Sequence, residues 1–188
     1  MGKVFRFINS EENIITIRNR DINEADAAFA EFMQMTEEEF NERSSDNPKL
    51  YKGISSSRLE EVTEKLLKEI APATPFRPEE ITLVAGHSFP DIITEKYFGV
   101  EVKSTQSDKW TSTGSSIVET TRDSNVSNIY MLFGKLGGTP PEFRCRPYQD
   151  CLCNIAVTHS PRYMIDMEIR DKKEKTIFEK IDIPYNKF

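Results

Sequence analysis

Residues 90–104 read PDIITEKYFGVEVKS, and the rest of the chain is best read outward from them. Side chains at i and i+2 of a strand share a face. In VEVKS, Glu101 and Lys103 therefore share one face, and Val100 and Val102 take the other. Asp91 opens the preceding strand, DIIT, and a short turn around Glu95–Gly99 lays the two strands side by side. An acid on one strand can then meet an acid and an amine on the next. Two carboxylates at such a point repel each other unless a cation sits between them. Hard oxygen ligands select Mg²⁺, with Mn²⁺ able to substitute, at roughly 2.1 Å. Val-Glu-Val-Lys is also the pattern of a half-exposed strand carrying an ion pair. The Pro90-Asp91 partner and the order of the flanking elements favour the metal site.

On the N-terminal side, a helix is predicted from about Ser55–Ser57 to Ile70, with Leu59, Val62, Leu66, Leu67 and Ile70 at helical spacing. The prolines of APATPFRPEE end it, and ITLVAGHSF reads as a strand. On the other side, 115–123 (SSIVETTRD) reads as a helix and NIYMLFGKL as a strand. The order is helix-strand-strand-strand-helix-strand. Three strands in series predict an antiparallel meander, and the helical crossover predicts parallel pairing of the last strand. The expected fold class is α/β (α+β), a mixed central sheet flanked by helices.

Further out, residues 3–17 read as two short strands around Asn9–Glu12. Asp21 is placed to cap a helix through about Arg43, whose stripe is Ile22, Ala25, Phe29, Phe32 and Met33. SSDNPKLYKG is a loop by composition. Residues 1–56 would thus be an N-terminal strand/helix arm packed on a core domain spanning 57–188. In the C-terminal extension, PEFRCRPYQDC reads as loop and strand and RYMIDMEIR as a strand. IDIPYNKF closes nothing, as in a fragment of a longer protein.

Pro90-Asp91, nine residues, then Glu101-Val102-Lys103 matches the PD-(D/E)xK signature, and the element order over about residues 57–135 resembles the core of the restriction-endonuclease-like nucleases. The resemblance implies that Asp91 and Glu101 ligate a metal together with the backbone carbonyl of Val102. It implies that Lys103 holds the attacking water and neutralises transition-state charge. Many family members add an acid from the first core helix, a place Glu61 or Glu64 could fill. Within the family, a short single-core chain without Walker-type motifs points to a Type II restriction endonuclease, part of a restriction-modification system. A homodimer cutting both strands of double-stranded DNA would match a two-fold site. The alternatives are a repair or recombination nuclease of the same core, and a nucleic-acid-binding module without turnover.

The net charge of −6 is unusual for a nucleic-acid binder, but it is unevenly spread. Residues 1–100 carry 12 basic and 19 acidic side chains, whereas 101–188 carry 13 and 12, which leaves a neutral half for a cleft. No apolar run could cross a bilayer and the N-terminus lacks a signal-peptide core, so a soluble cytoplasmic protein is expected. Three cysteines cannot pair completely, which fits a reducing compartment. Cys145, Cys151, Cys153 and His159 have the spacing C-x5-C-x-C-x5-H, outside the common zinc signatures, so reduced buried thiols rather than zinc are expected. His87, four residues before Asp91, reads as structural or as close to the site. STQSDKWTSTGSS, with Lys109 and Trp110, is either a substrate clamp or a linker with its tryptophan tucked into the core. Arg122, Arg144, Arg146 and Arg162 are further candidate DNA contacts.

Overall fold

A computed structural model of the chain describes residues 12–86, 88–117, 123–157 and 159–185. The hairpin of 90–104 is its organising element. β2 (Ile92–Thr94) pairs antiparallel with β3 (Phe98–Thr105), and β1 (Ile81–Leu83) pairs antiparallel with β2. β3 then pairs in parallel with β5 (Asn128–Lys135), and β6 (Glu142–Pro147) closes the sheet antiparallel. The result is a mixed five-stranded sheet of order β1-β2-β3-β5-β6, with the expected meander and parallel crossover. A second, antiparallel sheet has the order β4-β8-β7, with β4 Thr111–Ser116, β7 Leu152–Val157 and β8 Pro161–Asp166. The fold class is mixed α/β.

One face of the large sheet carries the helices. α2 (Ile22–Asp46) starts at Asp21, whose carboxylate accepts from the N–H groups of Asn23 and Glu24. Its buried residues, among them Ala25, Phe29, Phe32, Met33 and Phe40, recur at helical spacing and meet Leu59, Leu66 and Leu67 of α3 (Ser56–Ile70) over Phe98, Val100 and Val102. The N-terminal segment from Ile14 belongs to this same core. α2 also seals the sheet edge. Cys145 N–H donates to Glu37 Oε2 at 2.6 Å, and Phe143 exchanges two 2.9 Å bonds with the Asn41 amide. Ser44 Oγ donates to Pro141 O at 2.5 Å. Residues 37, 41 and 44 lie along one helix face, and 141, 143 and 145 present one edge of β6, so the two periodicities mesh and leave less free edge for aggregation.

Several expectations are corrected. The second strand proposed within 3–17 is a helix, α1 (Ile14–Arg20), capped by Asn13; Ile14 and Ile17 are buried at i, i+3, a helical spacing that the alternation obscured. Residues 3–11 lie outside the described residues. The strand read over ITLVAGHSF stops at Leu83, although Val84 N–H still donates to Asp91 O at 2.8 Å; His87 is outside the described residues. Of the helix expected at 115–123, Ser115 and Ser116 belong to β4, where pairing with β8 overrides local preference, and 118–122 are outside the described residues. The C-terminal region adds α4 (Ile177–Ile181), started by a capping box between Thr176 and Glu179. Among the described residues, no helix is long and apolar enough to cross a membrane.

Candidate active site

The β2–β3 register places the acids opposite one another. Ile92 faces Val100, so one step further along the ladder Asp91 faces Glu101. The Asp91 carboxylate is held there by Val102 N–H, which donates to Oδ2 at 2.7 Å. Its approach depends on Gly99: a Cβ there would lie 2.4 Å from Pro90 Cγ. Glycine therefore lets Pro90 lie over β3 and carry Asp91 to the end of the hairpin.

Glu101 and Lys103 point away from the helices. Their partners across the parallel ladder, Met131 and Phe133, belong to the second core, between the sheets. Glu101 is only 2% exposed. Lys103 Nζ lies 2.9 Å from Glu101 Oε1, and Ser115 Oγ donates to the same oxygen at 3.3 Å. The other oxygen, Oε2, is buried without a donor. The Asp91 and Glu101 carboxyls lie within hydrogen-bond reach of each other, and they cannot both remain ionised cheaply. Burial pushes the Glu101 carboxyl up to about 7; the Lys103 ammonium opposes this and the Asp91 charge adds to it. Burial raises Asp91 as well, against the Val102 hydrogen bond and Lys103. Lys103 is itself held above its ordinary value: burial works to lower it, but Glu101, Asp91 and Glu60 outweigh that.

Glu60, rather than either helix acid named from the sequence, is the α3 carboxylate that senses this site. It is half-buried, and its carboxyl is raised by burial and then by the Asp91 charge, with Lys103 pulling it down. Glu61 is exposed and paired with Arg58. Glu64 binds Lys68 at 2.8 Å and accepts from Leu83 N–H at 3.4 Å. Glu60 and Glu64 lie one turn apart on one side of α3 and Glu61 points away from them, so packing against the sheet and the Lys68 pair select Glu60.

In comparison with known proteins, no family model matches the sequence, and no curated protein or solved structure is significantly similar to it. An orphaned buried oxygen on Glu101 and a second carboxylate in reach make a hard-oxygen donor set that fits Mg²⁺ or Mn²⁺, with the Lys103 ammonium beside it. Among the described residues no three Asp, Glu, His or Cys side chains form a cage, so water and a backbone carbonyl would complete the coordination.

The other candidates are dispersed. Trp110 is 7% exposed and packs on Phe133, with Arg144 Cζ 4.3 Å and Lys135 Nζ 5.0 Å from its ring centre. Of the two readings of its loop, the buried one holds, because the ring belongs to the second core. Lys109 beside it is exposed. Arg144 is paired with Asp171 and Arg146 with Glu37, while Arg162 reaches Gly114 O at 3.5 Å. Arg122 lies outside the described residues. Cys145, Cys151 and Cys153 are free thiols whose pKa values burial raises. Cys151 Sγ donates to Pro147 O and Cys153 Sγ to Met164 O, as thiols rather than thiolates. Ser115 and Tyr148 escape sequence reasoning, since Ser115 reaches the site from β4 of the second sheet and Tyr148 from the turn that follows β6.

Proposed function

We propose that the chain is a Mg²⁺-dependent endodeoxyribonuclease of the restriction-endonuclease-like kind, acting on double-stranded DNA as a homodimeric Type II restriction endonuclease. The observation that carries this reading is the pairing of Asp91 with Glu101 across the hairpin end, with Glu101 Oε2 buried and undonated and Lys103 2.9 Å from Oε1. The helix–meander–parallel-strand order around the site is compatible with that core. Asp91, Glu101 and the Val102 carbonyl would hold the ion, with the Glu60 charge adding to the field of the site. A bound ion would lower the pKa of its water and stabilise developing phosphate charge. Lys103, already fixed by Glu101, is placed to hold the attacking water and to neutralise the phosphate as negative charge builds. Asp91 is kept rigid by Val102 N–H, so ligand geometry is set before substrate arrives.

The test is cleavage of plasmid DNA with Mg²⁺, with and without EDTA, beside Asp91→Ala and Lys103→Ala. Metal-dependent cleavage by the parent chain is expected, and each variant should lose on the order of 10³-fold in rate. Discrete fragments support the restriction enzyme, and a smear supports a repair or recombination nuclease of the same chemistry. A parent chain that binds DNA without metal-dependent cutting would overturn the enzymatic reading in favour of a binding module.

A further inference from the structure

We propose that Ser115 and Tyr148, which come from outside the strand hairpin, form a positioning relay that aims Glu101 at the cation. This inference rests on the metal-site reading above. Its starting point is an irregularity in β4. Thr111, Ser112 and Thr113 pair with Asp166, Ile165 and Met164, but Ser116 pairs with Arg162, so one extra residue is inserted between Thr113 and Ser116. A bulge of this kind breaks strand alternation and re-aims a side chain, and bulges gather next to active sites. Gly114 sits in it with little room, since a Cβ there would lie 3.2 Å from Ile165 Cδ1 and 3.3 Å from Tyr163 O.

The re-aimed side chain is Ser115, whose hydroxyl donates to Glu101 Oε1 at 3.3 Å. A hydroxyl has one proton. Tyr148 adjoins Ser115 and Glu101, and because the Ser115 proton is committed to Glu101, the relay assigns the Tyr148 hydroxyl the role of donor to Ser115 Oγ. Tyr148 is 1% exposed and its ring meets Phe89 at 4.9 Å, directly before Pro90-Asp91. Tyr148 would thereby brace Glu101 through Ser115, while its ring packs on Phe89, two residues before Asp91. The polarity of the chain explains its use. Ser115 and Lys103 both hold Oε1, which leaves Oε2 as the oxygen turned free. Groups that orient a ligand in this way commonly account for 10–100-fold in metal affinity.

The test measures Mn²⁺ binding to the whole protein by calorimetry or spin resonance, so it does not depend on turnover. Ser115→Ala, Ser115→Thr, Tyr148→Phe and Asp91→Ala are compared with the parent chain, with thermal melts alongside. Ser115→Ala should raise the Mn²⁺ dissociation constant about tenfold, and Tyr148→Phe by a smaller factor, with melting close to the parent. Ser115→Thr, which keeps the hydroxyl, should restore most of the affinity. In cleavage assays, the metal needed for half-maximal rate should rise while the rate at saturating metal changes little. Parent-like Mn²⁺ affinity in both Ser115→Ala and Tyr148→Phe, beside loss in Asp91→Ala, overturns the relay alone. Absence of Asp91-dependent Mn²⁺ binding in the parent overturns the metal site and the relay with it.

Discussion

Two glutamates of one hairpin are buried almost completely, and their surroundings are opposite. Glu95, at the turn, is 1% exposed and is gripped by Arg77, whose Nε and Nη2 donate to its two oxygens at 2.8 and 2.7 Å, with Arg77 N–H adding a third bond. Glu101, six residues on, is 2% exposed and has one oxygen shared by Lys103 and Ser115 and the other bare. The bidentate pair at Glu95 also holds a turn in which Glu95 and Lys96 take left-handed φ values of +51° and +67°. Burial alone therefore does not mark a functional carboxylate. A fully satisfied one reads as structural, and a half-satisfied one beside a second acid is a candidate ligand.

The largest effect that could break this contrast is at the turn. Arg77→Ala leaves Glu95 buried and unpaired, and should cost about 3 kcal/mol in chemical denaturation. Unfolding as hard as the parent chain's would show that the turn does not depend on the pair. Any Arg77→Ala protein still folded should keep its cleavage rate, because the charged partners of Arg77 are Glu95 and Glu80 rather than Asp91, Glu101 or Lys103.

The next effect is pH dependence at the other end. Glu101 binds its proton more tightly folded than unfolded, so this stabilisation is full below its ordinary 4.5 and is lost as pH rises through about 7. In EDTA the folded state should therefore lose on the order of 2–3 kcal/mol between pH 4.5 and pH 8 from this group. Glu101→Gln should flatten the dependence and stabilise the metal-free protein at pH 8, whereas Glu95→Gln should destabilise it. The same sign for both substitutions would erase the distinction.

The smallest effect concerns the acid on α3. Glu60→Gln should slow cleavage about tenfold, or raise the metal requirement by that factor, as expected for a group that acts on a site without anchoring it. Glu61→Gln serves as the control and should stay within about twofold, since surface substitutions usually change energies by under ~0.5 kcal/mol. An effect at Glu61 equal to that at Glu60 would contradict the helix orientation described above.

What the sequence determined by itself was local and periodic. Alternation put Glu101 and Lys103 on one face, the Pro90-Asp91 start and short turn put Asp91 opposite, and helical spacing, with Asp21 as a cap for the first, located α2 and α3. Thr176-x-x-Glu179 likewise has the local spacing of a capping box. Tertiary structure alone decided the rest, because those choices depend on atoms distant along the chain. TSTGSS became strand β4 by pairing with β8, and Trp110 was buried by Phe133 and Arg144. Which α3 acid faces the hairpin followed from how that helix packs on the sheet. The sequence could show that Asp91 and Glu101 would meet. Only the fold could show that one oxygen of Glu101 is left without a donor, because hydrogen-bond satisfaction belongs to the assembled interior.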